Sequence, residues 1–267
     1  MTGAGYSLRL SNAEVTRYRL MAERARQDEV ELWRMAGITA GARIADIGCG
    51  PGATLVTMAE IVGPAGTVVG VDADPEAVER AALMIEHSGL SNARVCVGGA
   101  EETGLPTGSF DTVVIRHVLA HNGGRERAIV DHAVTLLRPQ GRLYLVDTEA
   151  SAIRAWPPAP DYEAMNNQYI AFNTAQGNDL RVGLRLADLL SEAGLEVLGH
   201  EGWFSRLAPA PGTRPPAWAA RDAMVASGFA SAADIASWDA GFTAMDASGT
   251  RPAVFVSTFG AVGRRAA

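Results

Sequence analysis

Two carboxylates and a run of glycines are the residues whose spacing in this chain could do chemistry. Asp46 stands two positions before Gly48 in Ile44-Ala45-Asp46-Ile47-Gly48-Cys49-Gly50-Pro51-Gly52-Ala53, and Asp72 closes a later apolar run that starts at Thr67. Glycines at 48, 50 and 52 allow a tight turn and a close approach of ligand to backbone. The free N–H groups of the helix that follows face that ligand. Gly48-x-Gly50-x-x-Ala53 on its own satisfies the dinucleotide fingerprint. Asp46 separates the readings, because a carboxylate at a strand end repels a pyrophosphate but accepts hydrogen bonds from an ammonium group. Asp72 lies 20 residues beyond Gly52, the spacing at which an acid meets ribose hydroxyls in adenosine-cofactor folds. Its other reading is a helix N-cap, a task that Asp74, directly before Pro75, can take instead. At a further strand end stand Arg116 and His117, with His121 four residues on. Either histidine could act as a general base, its reference pKa being near neutral; the alternative is that both only pack.

These residues need a scaffold, and the hydrophobic pattern supplies one. Buried strands are expected at Ala42 to Ile47, Thr67 to Asp72, Arg94 to Val97, Thr112 to Ile115 and Arg142 to Val146. Amphipathic helices alternate with them, one carrying Leu55, Val56, Ala59 and Val62, another running from Pro75 to His87 and a third from Arg125 to Arg138. This alternation is βαβ grammar and predicts a parallel sheet covered on both faces. Ligands in such sheets bind outside the carboxyl ends of the strands, where Asp46, Asp72 and Arg116 all fall. Upstream, residues 11–36 repeat apolar positions at helical spacing. Downstream, helices are expected at Glu163 to Thr174, Leu184 to Ala193, Ala217 to Gly228 and Ala232 to Ser248. A sixth strand at Glu196 to Phe204 pairs with a last one at Pro252 to Phe259.

Composition removes several classes. All 23 basic residues are Arg and none is Lys, which excludes Schiff-base, pyridoxal and P-loop chemistry. A net charge of -7 gives no electrostatic footprint for nucleic acid. Cys49 and Cys96 are the only cysteines, too few for a metal cluster or a disulfide framework. No signal peptide and no 18-residue apolar run is evident, so the expected location is the cytoplasm, away from any membrane.

The stretch from Asp46 to Gly52 resembles motif I of the class I S-adenosylmethionine (SAM)-dependent methyltransferases. Leu105-Pro106-Thr107-Gly108-Ser109-Phe110-Asp111 resembles the family's entry to its fourth strand. Leu137-Arg138-Pro139-Gln140-Gly141 resembles its "L-[KR]-P-G-G" turn, with Gln140 in place of one glycine. The resemblance implies an α/β fold: a Rossmann-like seven-stranded sheet, last strand antiparallel, with helices on both faces and a helical substrate lid. It divides the chain into an N-terminal helical cover (1–40), a SAM-binding core (41–150) and the remaining strands with the inserted lid (151–267).

By the same resemblance, Asp46, Gly48, Cys49 and Gly50 hold the methionine end of S-adenosyl-L-methionine. Asp72 and Ala73 hold the ribose, and Gly99, Ala100 and Glu101 flank the adenine. Gly99 stands where the family commonly has an Asp, so Glu101 or water must supply that contact. Tyr6, Arg17 and Arg116 are candidates to touch the cofactor; Tyr169, Phe172 and Trp203 are candidates to line the acceptor, core packing being their alternative. No Asn/Asp-Pro-Pro-aromatic tetrad follows the fourth strand, and no carboxylate replaces Arg116 or His117. These absences disfavour methylation of nucleic acid bases and the magnesium-dependent catechol type. The implied function is methyl transfer by direct displacement to a small, largely apolar acceptor, and the Arg-, Ala- and Gly-rich composition suggests secondary metabolism. A homodimer is the candidate assembly. The readings left open are an NAD(P)-dependent oxidoreductase and a non-catalytic binding protein on the same fold.

Overall fold

In the computed structural model, which describes residue 20 and residues 22–267, one mixed sheet organises the chain. Its strands are β1 (Arg43–Ile47), β2 (Thr67–Asp72), β3 (Ala93–Val97), β4 (Phe110–Arg116), β5 (Leu137–Thr148), β6 (Arg154–Trp156), β7 (Glu196–Leu207) and β8 (Ala253–Arg264). The order is β3-β2-β1-β4-β5-β8-β6, with β7 also paired to β8. The first five strands are mutually parallel, whereas β8 runs antiparallel to β5, β6 and β7. Strand order reverses between β1 and β4, which creates the crevice where ligands of open α/β sheets bind.

The sheet therefore has eight strands where seven are expected. The addition is β6, a three-residue segment that pairs with the start of β8 at Ala253 to Phe255. Both β5 and β8 extend beyond their expected ends, because the two run alongside each other from Arg142↔Arg264 to Thr148↔Thr258.

Alternation along the strands sorts the core into two clusters. Ala45 and Ile47 join Ile129, Leu136, Met165 and Leu186 on one side, while Ile44 joins Leu32, Trp33, Leu55 and Met58 on the other. The helices that cover the second cluster are α1 (Val30–Met35), α2 (Ala53–Val62) and α3 (Pro75–Ser88). Covering the first are α4 (Glu126–Leu136), α5 (Pro160–Ala175) and α6 (Leu186–Glu192). Ile44, Ile47 and Leu55 are fully enclosed, and burial of each side chain contributes about 1.5–3 kcal/mol.

The expected helix from Ala217 breaks into α7 (Pro216–Ala219) and α8 (Arg221–Ala226), and α9 (Ala232–Ser248) follows. A capping box between Ser231 and Asp234 starts α9, and left-handed Gly249 ends it. These helices pack on α5: Phe172 meets Phe229 edge-on at 5.9 Å, and Trp238 and Phe242 share the cluster of Tyr169. At the N-terminal side residues 22–28 are helical, and Glu29 interrupts the helix before α1. Between β4 and β5 the chain bulges at the Arg138 to Gly141 turn, where Gln140 takes the left-handed conformation at φ 63°. Glycine would adopt that conformation without the steric cost of a Cβ.

Candidate functional site

The turn after β1 is built on glycine for two separate reasons. Gly48, Gly50 and Gly52 all have positive φ (73°, 53° and 80°). A Cβ on Gly48 would lie 2.3 Å from the Val118 side chain, and one on Gly52 would lie 2.9 Å from Ala81 Cβ. Among the described residues a Cβ on Gly50 would have nothing within 4 Å, so there the turn presents bare backbone. The Gly48 and Cys49 amides donate to the Val71 carbonyl and bind the turn to β2.

Asp72, at the carboxyl end of β2, accepts from the Gly50 amide at 2.8 Å and from the Asp74 amide at 3.0 Å. Each oxygen keeps a further lone pair for an outside donor. Asp74 caps α3 by accepting from the Glu76 amide at 3.0 Å. The Asp72 carboxylate is thus held at the turn, and capping falls to its neighbour.

Asp46 is buried on the same sheet face as Arg116 and Tyr144, and no hydrogen bond reaches its carboxylate among the described residues. Burial pushes its pKa up to about 7; the Arg116 guanidinium pulls it down and the Asp72 carboxylate pushes it up. Arg116 donates from Nη2 to Glu29 Oε1 at 2.7 Å, while its buried Nε has no hydrogen-bond partner among the described residues. Glu29 also accepts from Tyr144 Oη at 2.8 Å and Trp33 Nε1 at 3.1 Å. Charge and hydrogen bonds from Arg116, Tyr144 and Trp33 hold the Glu29 carboxyl below the usual carboxylate range, against its own burial. Cys49 is buried between these acids and its thiol is pushed well up, first by burial and then by Asp46 and Asp72. It packs in the second core cluster as a small apolar side chain.

Beyond β4, His117 has φ 56°, a left-handed conformation that a non-glycine residue rarely adopts. Its amide still donates to Val146 O, and its Nδ1 stands 3.7 Å from Asp147 Oδ1. Asp147 is buried and fixed by the Ala120 and Thr148 amides at 3.0 and 2.9 Å. Burial, and then the Arg116 charge, lower the His117 pKa, with Asp147 acting in the opposite direction. His121 sits half-buried in the short 3-10 turn Leu119–His121.

In the adenine-flanking segment Glu101 has a partner within the chain. Its carboxylate is taken by Arg125, which donates to it from Nε at 2.9 Å and also from Nη2. Gly99 is exposed, and among the described residues a Cβ there would meet only Glu102 O at 4.0 Å. Ala100 packs against the first core cluster and Ala73 is exposed. Tyr169 and Phe172 are buried in that first cluster, but Trp203 packs against the second, so the three do not share one wall. Trp203 instead lines a cavity of about 360 Å³ with Glu149, Leu184, Phe204 and Phe259. Tyr6 and Arg17 lie outside the described residues. Sequence reasoning passed over Glu29, Tyr144 and Asp147. Glu29 had a signal, since it stands four residues from both Ala25 and Trp33, on the apolar face of its helix. Among the described residues no His/Cys/Asp/Glu group could hold a metal, and no helix is long and apolar enough to cross a membrane.

Residues 38–181 match the family model described as a methyltransferase domain. The chain is 36% identical over 121 residues to nocamycin O-methyltransferase of Saccharothrix syringae, covering 45% of this chain and 43% of that one. It is 45% identical over 74 residues to aklanonic acid methyltransferase DauC of Streptomyces sp., covering 28% of this chain and 34% of the other. The match thus spans less than half the length of these curated relatives. The crystal structure of YcgJ from Bacillus subtilis superposes with a TM-score of 0.60 at 21% identity, covering 91% of this chain and 99% of that one. With its family model matched across more than half the chain, and with the glycine turn and its two acids at the switch point, this chain belongs to the class I S-adenosylmethionine-dependent methyltransferases.

Proposed function

We propose that the protein transfers a methyl group from S-adenosylmethionine to a small, largely apolar acceptor in secondary metabolism. The observation that carries the cofactor site is Asp46, a buried carboxylate at the carboxyl end of β1 beside the open face of Gly50. An ionised carboxylate so placed is stabilised by an ammonium group, as the methionine end of this cofactor provides. A pyrophosphate there would meet two carboxylates, which counts against the nicotinamide reading.

When bound, S-adenosylmethionine supplies a methyl group already activated by its sulfonium. Asp46 accepts from the ammonium, the Gly48 to Gly52 turn lets the chain approach it closely, and the free lone pairs of Asp72 accept from the ribose hydroxyls. The remaining work is alignment of acceptor with methyl and exclusion of water, a role this reading gives to α5 and α7–α9, which share one apolar cluster. His117 is the candidate base: its lowered pKa keeps the imidazole neutral at pH 7. Asp147 stands where it can stabilise the imidazolium formed on taking a proton from a hydroxyl acceptor. His121, at the end of the 3-10 turn that follows, is the second candidate for this role. The O-methyltransferase activity named for one relative favours a hydroxyl-bearing acceptor.

Calorimetric titration with S-adenosylmethionine, its demethylated product and NAD(P)H tests the cofactor assignment. Binding of the first two, lost in Asp46→Ala and Asp72→Ala, is the expected result. Binding of the nicotinamide cofactor alone would overturn it. Methyl transfer is then read by mass against a panel of small aromatic hydroxyl compounds.

A further inference from the structure

Glu29 is a fully buried acid in the interruption between the helical segment 22–28 and α1, and nothing in motif I accounts for it. Its oxygens are committed to three donors: Arg116 Nη2, Tyr144 Oη and Trp33 Nε1. Arg116 extends from β4, the neighbour of β1. In that pairing Asp46 lies opposite Val114, so Arg116 is two residues further along on the same face. Strand spacing and rise put the Asp46 and Arg116 Cα atoms about 8 Å apart, a diagonal that a long side chain can bridge. Asp46 and Arg116 would therefore form an internal ion pair if nothing else engaged the guanidinium. Such a pair would occupy the one carboxylate that the proposed cofactor site offers to an ammonium group.

We infer that Glu29 is a positioning residue of the cofactor site: it holds Arg116 so that Asp46 stays available to the ligand's ammonium group. The inference rests on the cofactor reading above and adds the residue that keeps the site open. The charged and titratable groups acting on Asp46 are Arg116 from β4, Asp72 from β2 and Cys49 from the turn. Glu29 and Tyr144 act on it through Arg116. With Glu29 ionised, the Arg116 charge is largely cancelled; without it, that charge falls on Asp46.

The test is titration of the full chain with S-adenosylmethionine from pH 5.5 to 8 for wild type, Glu29→Gln and the double variant Glu29→Gln/Arg116→Gln. In wild type, the acid limb of the affinity profile rises through a midpoint near 7, set by ionisation of Asp46. Glu29→Gln is expected to move that midpoint down by about one pH unit and to weaken binding at pH 7.4 about tenfold, as Arg116 turns to Asp46. The double variant removes both partners and with them the pull of Arg116 on Asp46, so its midpoint is expected at or above that of wild type rather than below it. Should Glu29→Gln not fold, Glu29→Asp, which draws the carboxylate back by one methylene, is expected to shift the midpoint in the same direction by a smaller amount. A purely structural role would weaken binding equally at every pH and leave the midpoint in place, and that result would overturn the inference. Failure of wild type to bind would instead sink the cofactor reading beneath it.

Discussion

Affinity for S-adenosylmethionine should follow a bell-shaped pH profile whose acid limb belongs to Asp46. The carboxyl is pushed up to about 7 in the free protein, so only about one molecule in eleven is ionised there at pH 6. The ligand's own α-amino group has a reference pKa of about 7.8, which sets the alkaline limb. Multiplying the two ionised fractions gives about 0.5 at pH 7.4, about 0.09 at pH 6 and about 0.03 at pH 5.5. Binding is therefore expected to be about sixfold weaker at pH 6 and about sixteenfold weaker at pH 5.5 than at pH 7.4. Below pH 6.5 each binding event should release close to one proton, measurable by calorimetry in buffers of different ionisation enthalpy. Asp46→Asn should flatten the acid limb while lowering affinity at the optimum. An affinity independent of pH between 5.5 and 7.4, or an acid limb that survives in Asp46→Asn, would refute the argument.

The same carboxylate makes a prediction for stability. The folded pKa lies above the unfolded reference of 3.8, so this contribution is fully present below pH 4 and is lost as pH rises through about 7. At pH 8 Asp46→Asn should therefore stabilise the ligand-free protein, by on the order of 3–4 kcal/mol, and have little effect at pH 4; urea denaturation at the two pH values decides this. Gln140→Gly should raise stability by about 1 kcal/mol, because Gln140 holds a left-handed backbone that costs an L-residue roughly 1–2 kcal/mol and glycine recovers most of it. An unchanged or lowered denaturation midpoint would show that the turn stores no such strain. Gly99→Asp should tighten S-adenosylmethionine binding roughly tenfold, since the side chain has room and would restore the family's acceptor for the adenine amino group. Unaltered affinity in a folded variant would mean that the adenine lies elsewhere.

Much of the fold was legible in the sequence because its signals are local. Strand, glycine turn, helix and acid recur within short windows, and β1, β2 and the capping by Asp74 fall where the pattern puts them. The antiparallel last strand and its pairing with the strand before it were readable as well. What the sequence concealed depends on contacts between distant segments. β6 is too short to announce itself and exists because the start of β8 offers it a partner. Tyr169 and Trp203 both read as lid aromatics, but packing assigned them to opposite faces of the sheet. Glu101 read as a substitute for the missing adenine contact, and its pairing with Arg125, 24 residues on, was not legible. Glu29 and Asp147 drew no functional reading from the sequence, and only the fold brings them to Arg116 and His117.

A crystal structure of the protein with S-adenosylhomocysteine, which carries the same ammonium and ribose groups, tests the central claim most directly. The expected result places the ammonium within hydrogen-bond distance of Asp46 and both ribose hydroxyls on Asp72, with the ligand crossing the face of Gly50. A ligand seated away from the carboxyl ends of β1 and β2, or one whose ammonium turns to another acid, would contradict it.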